Sequence, residues 1–286
     1  MLNEPRSYGH SPVQIGLVVL VFSVLGVGLL LALGKSEFQL LIPFAGFYGI
    51  TFLIVLYSLT AKAVISDNEI LTQTMLGVKS LTWSEISRVS GRGYGIKLHN
   101  FGGDVTVAPS SQLPHYEEIV DWIGIKRPDL FNPLEYGEME RGWSQWALLV
   151  PFALILAGVF AGFGVSFLRT PQNSEVLFVP MFFVVIIAVV FFGMIFSSPQ
   201  SLTLNGKTML LKYLFNEKTL LADEIVSVDL RFTQTRNGRN YFILLTQPNR
   251  RSVRISGLSP SLPIAYLVLK NWHKKNASIG LTNQRN

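Results

Sequence analysis

Between Phe38 and Ala61 the chain runs 24 residues without a charge, and after Lys62 it passes at once into Ala63-Val64-Ile65-Ser66-Asp67-Asn68. At about 1.5 Å per helical residue, this run is long enough to cross a hydrocarbon core of about 30 Å. Lys62 marks its exit into water. The residues beyond Lys62 have strand and turn chemistry, so a small β domain is expected to hang from a membrane helix with no flexible linker. The junction recurs about 139 residues later, and that recurrence orders the rest of the chain.

Four apolar runs are read as spans: Val13–Leu33, Phe38–Thr60, Trp143–Leu168 and Val176–Phe196. The first is 21 residues long with no small-x-small cleavage pattern after it, so it is expected to be a retained helix and not a signal peptide. Gly34-Lys35-Ser36-Glu37 and Arg169–Glu175 are too short to recross a bilayer, so the spans pair as two antiparallel hairpins. A 49% apolar composition and a mean hydropathy of +0.38 agree with a membrane protein. No Asp, Glu, Lys, Arg or His lies within any of the four runs, which disfavours a coupled transporter. The absence of cysteine removes disulfides, thiolate metal sites and Cys nucleophiles.

Short strands broken by turns fill both polar stretches. In the first they are Ile70–Leu76, Ser80–Trp83, Ile86–Val89, Gly95–Leu98 and Val105–Val107, followed by a helix from Pro114 to Ile125 and a polar connection from Lys126 to Arg141. In the second they are Ser201–Leu204, Met209–Leu214, Thr219–Leu221, Ile225–Leu230, Tyr241–Thr246 and Val253–Ile255, with a helix from Pro263 to Lys275. Asn237-Gly238 is the strongest hairpin signal, since both residues tolerate the positive φ of a type I′ turn. The expected domains are a membrane hairpin over 1–60, a β domain with its connection over 61–142, a second hairpin over 143–197 and a second β domain over 198–286.

At an offset of 139, Ile65 falls on Leu204, Leu71 on Leu210, Met75 on Leu214, Lys79 on Lys218, Leu81 on Leu220, Glu85 on Glu224, Ile86 on Ile225 and Val89 on Val228. Leu113-Pro114 and Trp122 reappear as Leu262-Pro263 and Trp272 after an insertion of about ten residues. Agreement in element order and register is read as one unit written twice. Near the helix ends, the side holding the β domains carries Arg6, Lys62, Lys79, Lys126, Arg127, Arg141, Lys207 and Lys212, against Lys35 and Arg169 on the other. This asymmetry is expected to hold both termini and both β domains in the cytoplasm.

Asp67-Asn68-Glu69-Ile70 leading into Leu76-Gly77, then Leu81-Thr82-Trp83-Ser84-Glu85-Ile86-Ser87-Arg88-Val89, resembles the bacterial pleckstrin-homology-like domain proteins. The second copy carries Asn205-Gly206-Lys207 and Leu220-Leu221-Ala222-Asp223-Glu224-Ile225-Val226-Ser227-Val228, departing at Ala222 where the first has Trp83. The resemblance implies a partly open barrel of roughly seven strands capped by a C-terminal helix and does not imply an enzyme; the location expected is the bacterial inner membrane. Lipid-binding relatives grip inositol phosphates with Lys and Arg in the first strand loop. Here that loop is Asp67-Asn68-Glu69 or Asn205-Gly206-Lys207, a poor match for phosphoinositides.

The segment 61–142 holds eight Lys and Arg against eleven Asp and Glu, a balance of −3, while 197–286 holds thirteen against four, or +9. Within the latter, Arg231, Arg236, Arg239, Arg250, Arg251 and Arg254 form the candidate surface for anionic lipid headgroups or an acidic protein. Solvated loop arginines are the plain alternative. Nucleic acid is disfavoured for want of a recognition helix. The four histidines lack ligand spacing, so neither metal nor cofactor is expected. Small-residue spacings at Gly28 and Ala32, Ala45 and Gly49, and Gly158 and Gly162 permit close helix packing. The expected function is a non-enzymatic membrane scaffold presenting two cytosolic domains. The alternative is a channel or transport subunit lined by Gln14, Ser23, Thr51, Tyr57, Ser58, Gln145 and Ser166.

Overall fold

The computed structural model describes residues 4–33, 38–141, 143–169, 181–190, 193, 198–235, 238–248 and 250–282. It divides into two compact units, Met1–Phe131 with Thr233–Asn240, and Asn132–Phe232 with Tyr241–Asn286.

In the first unit, helix α1 (Pro12–Leu33) opens with Pro12 where a missing N–H costs nothing. Ser11 Oγ accepts from the Gln14 N–H at 3.2 Å, and Gln14 Oε1 accepts from the Ser11 N–H at 3.3 Å, so the two cap the helix reciprocally. Helix α2 (Phe38–Thr60) packs on α1 through Phe22, whose ring lies 5.7 Å from Tyr48 and 5.5 Å from Phe52. The Tyr48 hydroxyl donates to the Phe22 carbonyl. Gly26 makes the close approach, since a Cβ there would meet Tyr48 at 3.0 Å, whereas one at Gly28, Gly49, Gly158 or Gly162 would meet nothing within 4 Å among the described residues. Between α1 and α2 the close approach is therefore at Gly26, while Gly28 and Gly49 are open among the described residues.

Strand β1 (Arg6–Gly9) precedes the helical hairpin and β2 (Lys62–Ile65) follows it, and the two pair antiparallel, Tyr8 opposite Ala63. Strands β3 (Glu69–Thr74) and β4 (Gly77–Thr82) complete a four-stranded sheet in the order β1-β2-β3-β4. Ala63, Ile65, Ile70, Thr72 and Leu81 line its buried face. The chain leaves β4 through a 3-10 turn, Trp83–Glu85, where the Glu85 carboxylate accepts from the Thr82 N–H at 2.9 Å. A second sheet comes next, β5 (Ile86–Ser90), β6 (Lys97–Asn100) and β7 (Thr106–Val107), in that order. Helix α3 (Tyr116–Lys126) buries Tyr116, Ile119, Val120 and Ile123, whose spacing puts them on one helix face.

The second unit repeats this order. Strand β8 (Glu138–Glu140) lies inside the stretch expected to be a polar connection. It precedes α4 (Trp143–Arg169) and the apolar helix α5, described over Met181–Val190, and pairs with β9 (Ser201–Asn205), Met139 opposite Leu202. With β10 (Thr208–Lys212) and β11 (Glu217–Leu221) it forms a sheet ordered β11-β10-β9-β8. A 3-10 turn at Ala222–Glu224 leads to β12 (Ser227–Thr235), β13 (Gly238–Thr246) and β14 (Val253–Ile255), and α6 (Leu262–Thr282) closes the unit. Trp83 N–H donates to the Asn68 carbonyl at 3.0 Å in one unit, and Ala222 N–H donates to the Lys207 carbonyl at 2.9 Å in the other, again 139 residues apart. The Trp83 indole bonds the Ser66 carbonyl at 3.0 Å, and where Ala222 replaces it the Trp272 indole of α6 bonds the Gly206 carbonyl at 2.7 Å.

Three helices, over Pro12–Leu31, Ile42–Thr60 and Val150–Phe167, are long and apolar enough to cross a membrane, and the fourth expected span lies partly outside the described residues. The expected barrels differ from what is seen. Each unit has a four-stranded and a three-stranded sheet, and no sheet among the described residues closes on itself. The interruption falls at the 3-10 turns, whose backbone N–H groups bond to the β2–β3 and β9–β10 turns instead of extending a ladder.

Candidate functional site

Five of the six arginines nominated from sequence lie among the described residues. Arg231 on β12 and Arg254 on β14 are exposed, facing away from the buried row Val228, Leu230, Tyr241, Ile243, Leu245, Val253 and Ile255. Arg254 lies over the Phe242 ring at 3.8 Å, and Arg231 approaches Asp229 at 4.0 Å. Arg250, in the loop between β13 and β14, pairs with Glu224 of the 3-10 turn at 3.6 Å, and its neighbour Arg251 is exposed. Arg239 lies in the stretch Thr233–Asn240 that groups with the first unit, and its Nη1 donates to the Leu113 carbonyl at 2.6 Å. Arg236 lies outside the described residues. Arg231, Arg250, Arg251 and Arg254 are exposed on the second unit.

Other basic residues counted toward the charge asymmetry serve the fold. Arg127 Nη1 donates to the Trp83 carbonyl at 2.6 Å and to the Ile86 carbonyl, while its Nη2 reaches Asp129 at 2.6 Å. The Asp129 carboxyl is held below the usual carboxylate range, first by that hydrogen bond and then by the guanidinium charge. Lys126 Nζ bonds Asp67 Oδ1 at 2.6 Å and its carbonyl at 3.2 Å, so the acidic β2–β3 loop is neutralised by the end of α3.

A cleft of about 280 Å³ in the first unit was not anticipated. Tyr57 from α2, Thr72 and Thr74 from β3, Leu76, Gly77, Val78 and Lys79 from the β3–β4 hairpin, and Thr106 and Ala108 line it. The alternation of Thr72 and Thr74 was the available signal, since polar residues at i and i+2 share one strand face.

Beside it stands a hydroxyl–imidazole chain. His99 Nε2 lies 2.7 Å from Ser90 Oγ and Nδ1 lies 3.0 Å from Thr106 Oγ1. A neutral ring offers one donor and one acceptor, which two hydroxyls satisfy. Burial, then the charges of Arg88 and Lys97, lower the His99 pKa from its ordinary value. The geometry has the reach of a nucleophile and base, but a Thr hydroxyl stands where hydrolytic triads place a carboxylate, and neither Ser90 nor His99 lines the cleft. Among the described residues there is no group of three His, Cys, Asp or Glu placed to hold a metal ion.

Neither a protein-family model nor a curated protein matches the chain.

Proposed function

We propose that the protein is a non-enzymatic inner-membrane scaffold, built from one pleckstrin-homology-like unit written twice on two membrane hairpins. Its four spans would hold both β domains on the cytoplasmic side, and the C-terminal domain would bind an acidic protein surface or anionic headgroups. One observation carries this reading: each four-stranded sheet is threaded by the hairpin it sits on, with β1 before it and β2 after it, and β8 and β9 likewise. Such a sheet grips the chain on both sides of the hairpin, so its orientation to the bilayer is fixed, as a platform requires.

The exposed arginines suit recruitment. A solvent-exposed ion pair contributes about 0–1 kcal/mol, so a partner's carboxylate or phosphate displaces Glu224 from Arg250 at small cost. The channel alternative draws less support, because Ser23 and Thr51 donate to the Val19 and Phe47 carbonyls of their own helices and Gln14 caps α1. The test is extraction of the tagged full chain in mild detergent, beside an Arg250→Glu, Arg251→Glu variant. A protein or anionic lipid retained in fixed ratio by the parent and lost from the variant is expected. Identical retained material in both would end the assignment of this surface.

A further inference from the structure

The β3–β4 hairpin of the first unit carries apolar side chains where no core receives them. Met75 is 53%, Leu76 87% and Val78 57% exposed, and Gly77 to Ser80 are exposed without the alternation that a half-buried strand shows. Scattered surface apolar residues need no explanation, but these lie together at a turn. The turn is built deliberately, with Gly77 at a φ of +137° and Thr74 Oγ1 accepting from the Leu76 N–H at 3.3 Å. The second unit does the same in its own frame. Leu214 and Phe215 are 45% and 82% exposed between β10 and β11, in a turn closed by Tyr213 N–H to the Asn216 carbonyl at 2.8 Å. These are the positions 139 residues beyond Met75 and Leu76, and Lys218 stands at the same distance beyond Lys79.

Strand register shows where the first of these tips lies. Lys62, two residues past the end of α2, pairs with Gln73, so β3 runs back toward the helix from which β2 departed. From Gln73 to Leu76 an extended chain advances roughly 10 Å, at about 3.3 Å per residue. From Lys62 back to Tyr57 a helix covers roughly 7.5 Å, at about 1.5 Å per residue. The tip therefore reaches the level of Tyr57, and Leu76 and Tyr57 line one cleft. Tyr57 falls inside the apolar segment Ile42–Thr60.

We infer that the β3–β4 tip, Met75 and Leu76 with Val78, is a membrane-inserting wedge that enters the headgroup and acyl boundary of the phospholipid bilayer beside α2, and that Leu214 and Phe215 do the same for the second unit. The occupant of the first tip is lipid because that tip is continuous with the exposed apolar surface of α2 at Tyr57, and the second tip is assigned the same occupant from its matching position and exposure. Exposed Lys62 and Lys79 flank it, lengths of side chain that lay their stems on apolar surface and keep the ammonium at the phosphate level. The sheet is then held to the membrane at a second point, besides the helix that enters it.

This rests on the spanning role of α2, and the test separates the two. The chain has no cysteine, so Leu76→Cys, Phe215→Cys, Asn68→Cys and Leu53→Cys each give one labelling site for an environment-sensitive fluorophore. Asn68 is exposed at the opposite end of β3, and Leu53 is 60% exposed in the middle of α2. The labelled full chains are reconstituted in vesicles of phosphatidylcholine and phosphatidylglycerol, with and without phospholipid carrying a doxyl group high on the acyl chain. Labels at 76, 215 and 53 are expected to lose most of their emission to the doxyl lipid and little to aqueous iodide, and the label at 68 the reverse. Quenching at 53 without quenching at 76 overturns the wedge and leaves the span intact, and this holds whether the label at 76 is reached by iodide or by neither quencher. Quenching at 76 but not at 215 overturns the second wedge. No lipid quenching at 53 overturns the span, and the wedge with it.

Discussion

His99 illustrates how a residue can resemble chemistry and serve structure. Its ring bridges Ser90 and Thr106 across three strands, a role the neutral imidazole fills with one donor and one acceptor, while burial and then the charges of Arg88 and Lys97 disfavour the protonated ring. With the folded pKa below the ordinary value, the unfolded chain binds its proton first as the pH falls. The stability contributed by the neutral ring is therefore fully present above about pH 6.5 and lost as the pH falls through the folded value. The thermal midpoint of the first unit should drop between pH 7.5 and 5.5, and His99→Gln should remove part of that drop. His10, lowered first by burial and then by Arg239, accounts for a further part. A midpoint with equal pH dependence in parent and variant would refute the assignment. The sequence marked His99 as lacking ligand spacing, which it does, but its hydroxyl neighbours come from β5 and β7 and were invisible without the sheet. Arg239 makes the same point: its hydrogen bond to the Leu113 carbonyl joins residues 126 apart in sequence, and loop position gave no sign of it.

At the scale of elements, most strands after each apolar pair were legible because alternation and turn residues mark them, though β2 was read only as strand chemistry without bounds, and the strands before each pair were not. Arg6-Ser7-Tyr8-Gly9 and Glu138-Met139-Glu140 are too short and polar to show a period, and their partners lie more than 50 residues on, beyond the apolar segments. Tyr8 and Met139 are nevertheless 6% and 1% exposed, one inward side chain per edge strand. Tyr8→Ala should cost about 3 kcal/mol, the lower range for removing a buried aromatic ring. Tyr8→Phe, which removes only the 3.3 Å hydroxyl bond to a half-exposed Glu118, should cost about 1 kcal/mol or less. Thermal unfolding of the full chain in detergent measures both, and equal losses would show that β1 contributes by its hydroxyl and not by its packing. Trp272 makes the same point about reach: Ala222 looked like a missing anchor in the second unit, yet an indole from α6 bonds that unit's β9–β10 turn, a contact 66 residues apart in sequence.

At the scale of the whole molecule the proposal makes one demand that neither unit can meet alone. If the two hairpins each leave and re-enter the same face, every residue of both β domains is on one side of the membrane, and on the proposal the excess of eight cationic residues against two makes that side the cytoplasm. Asn68 and Ser252 are exposed, one in each unit, and the chain has no cysteine to confuse the labelling. Asn68→Cys and Ser252→Cys should both resist a membrane-impermeant maleimide in intact cells and both react once the membrane is permeabilised. Labelling of either in intact cells would put a β domain outside. Labelling of only one would do more, because two copies of a single unit inserted with the same handedness of charge cannot face opposite ways. The repeat would then be a likeness of sheets without a likeness of topology, and the reading of one unit written twice would have to be given up along with the cytoplasmic platform.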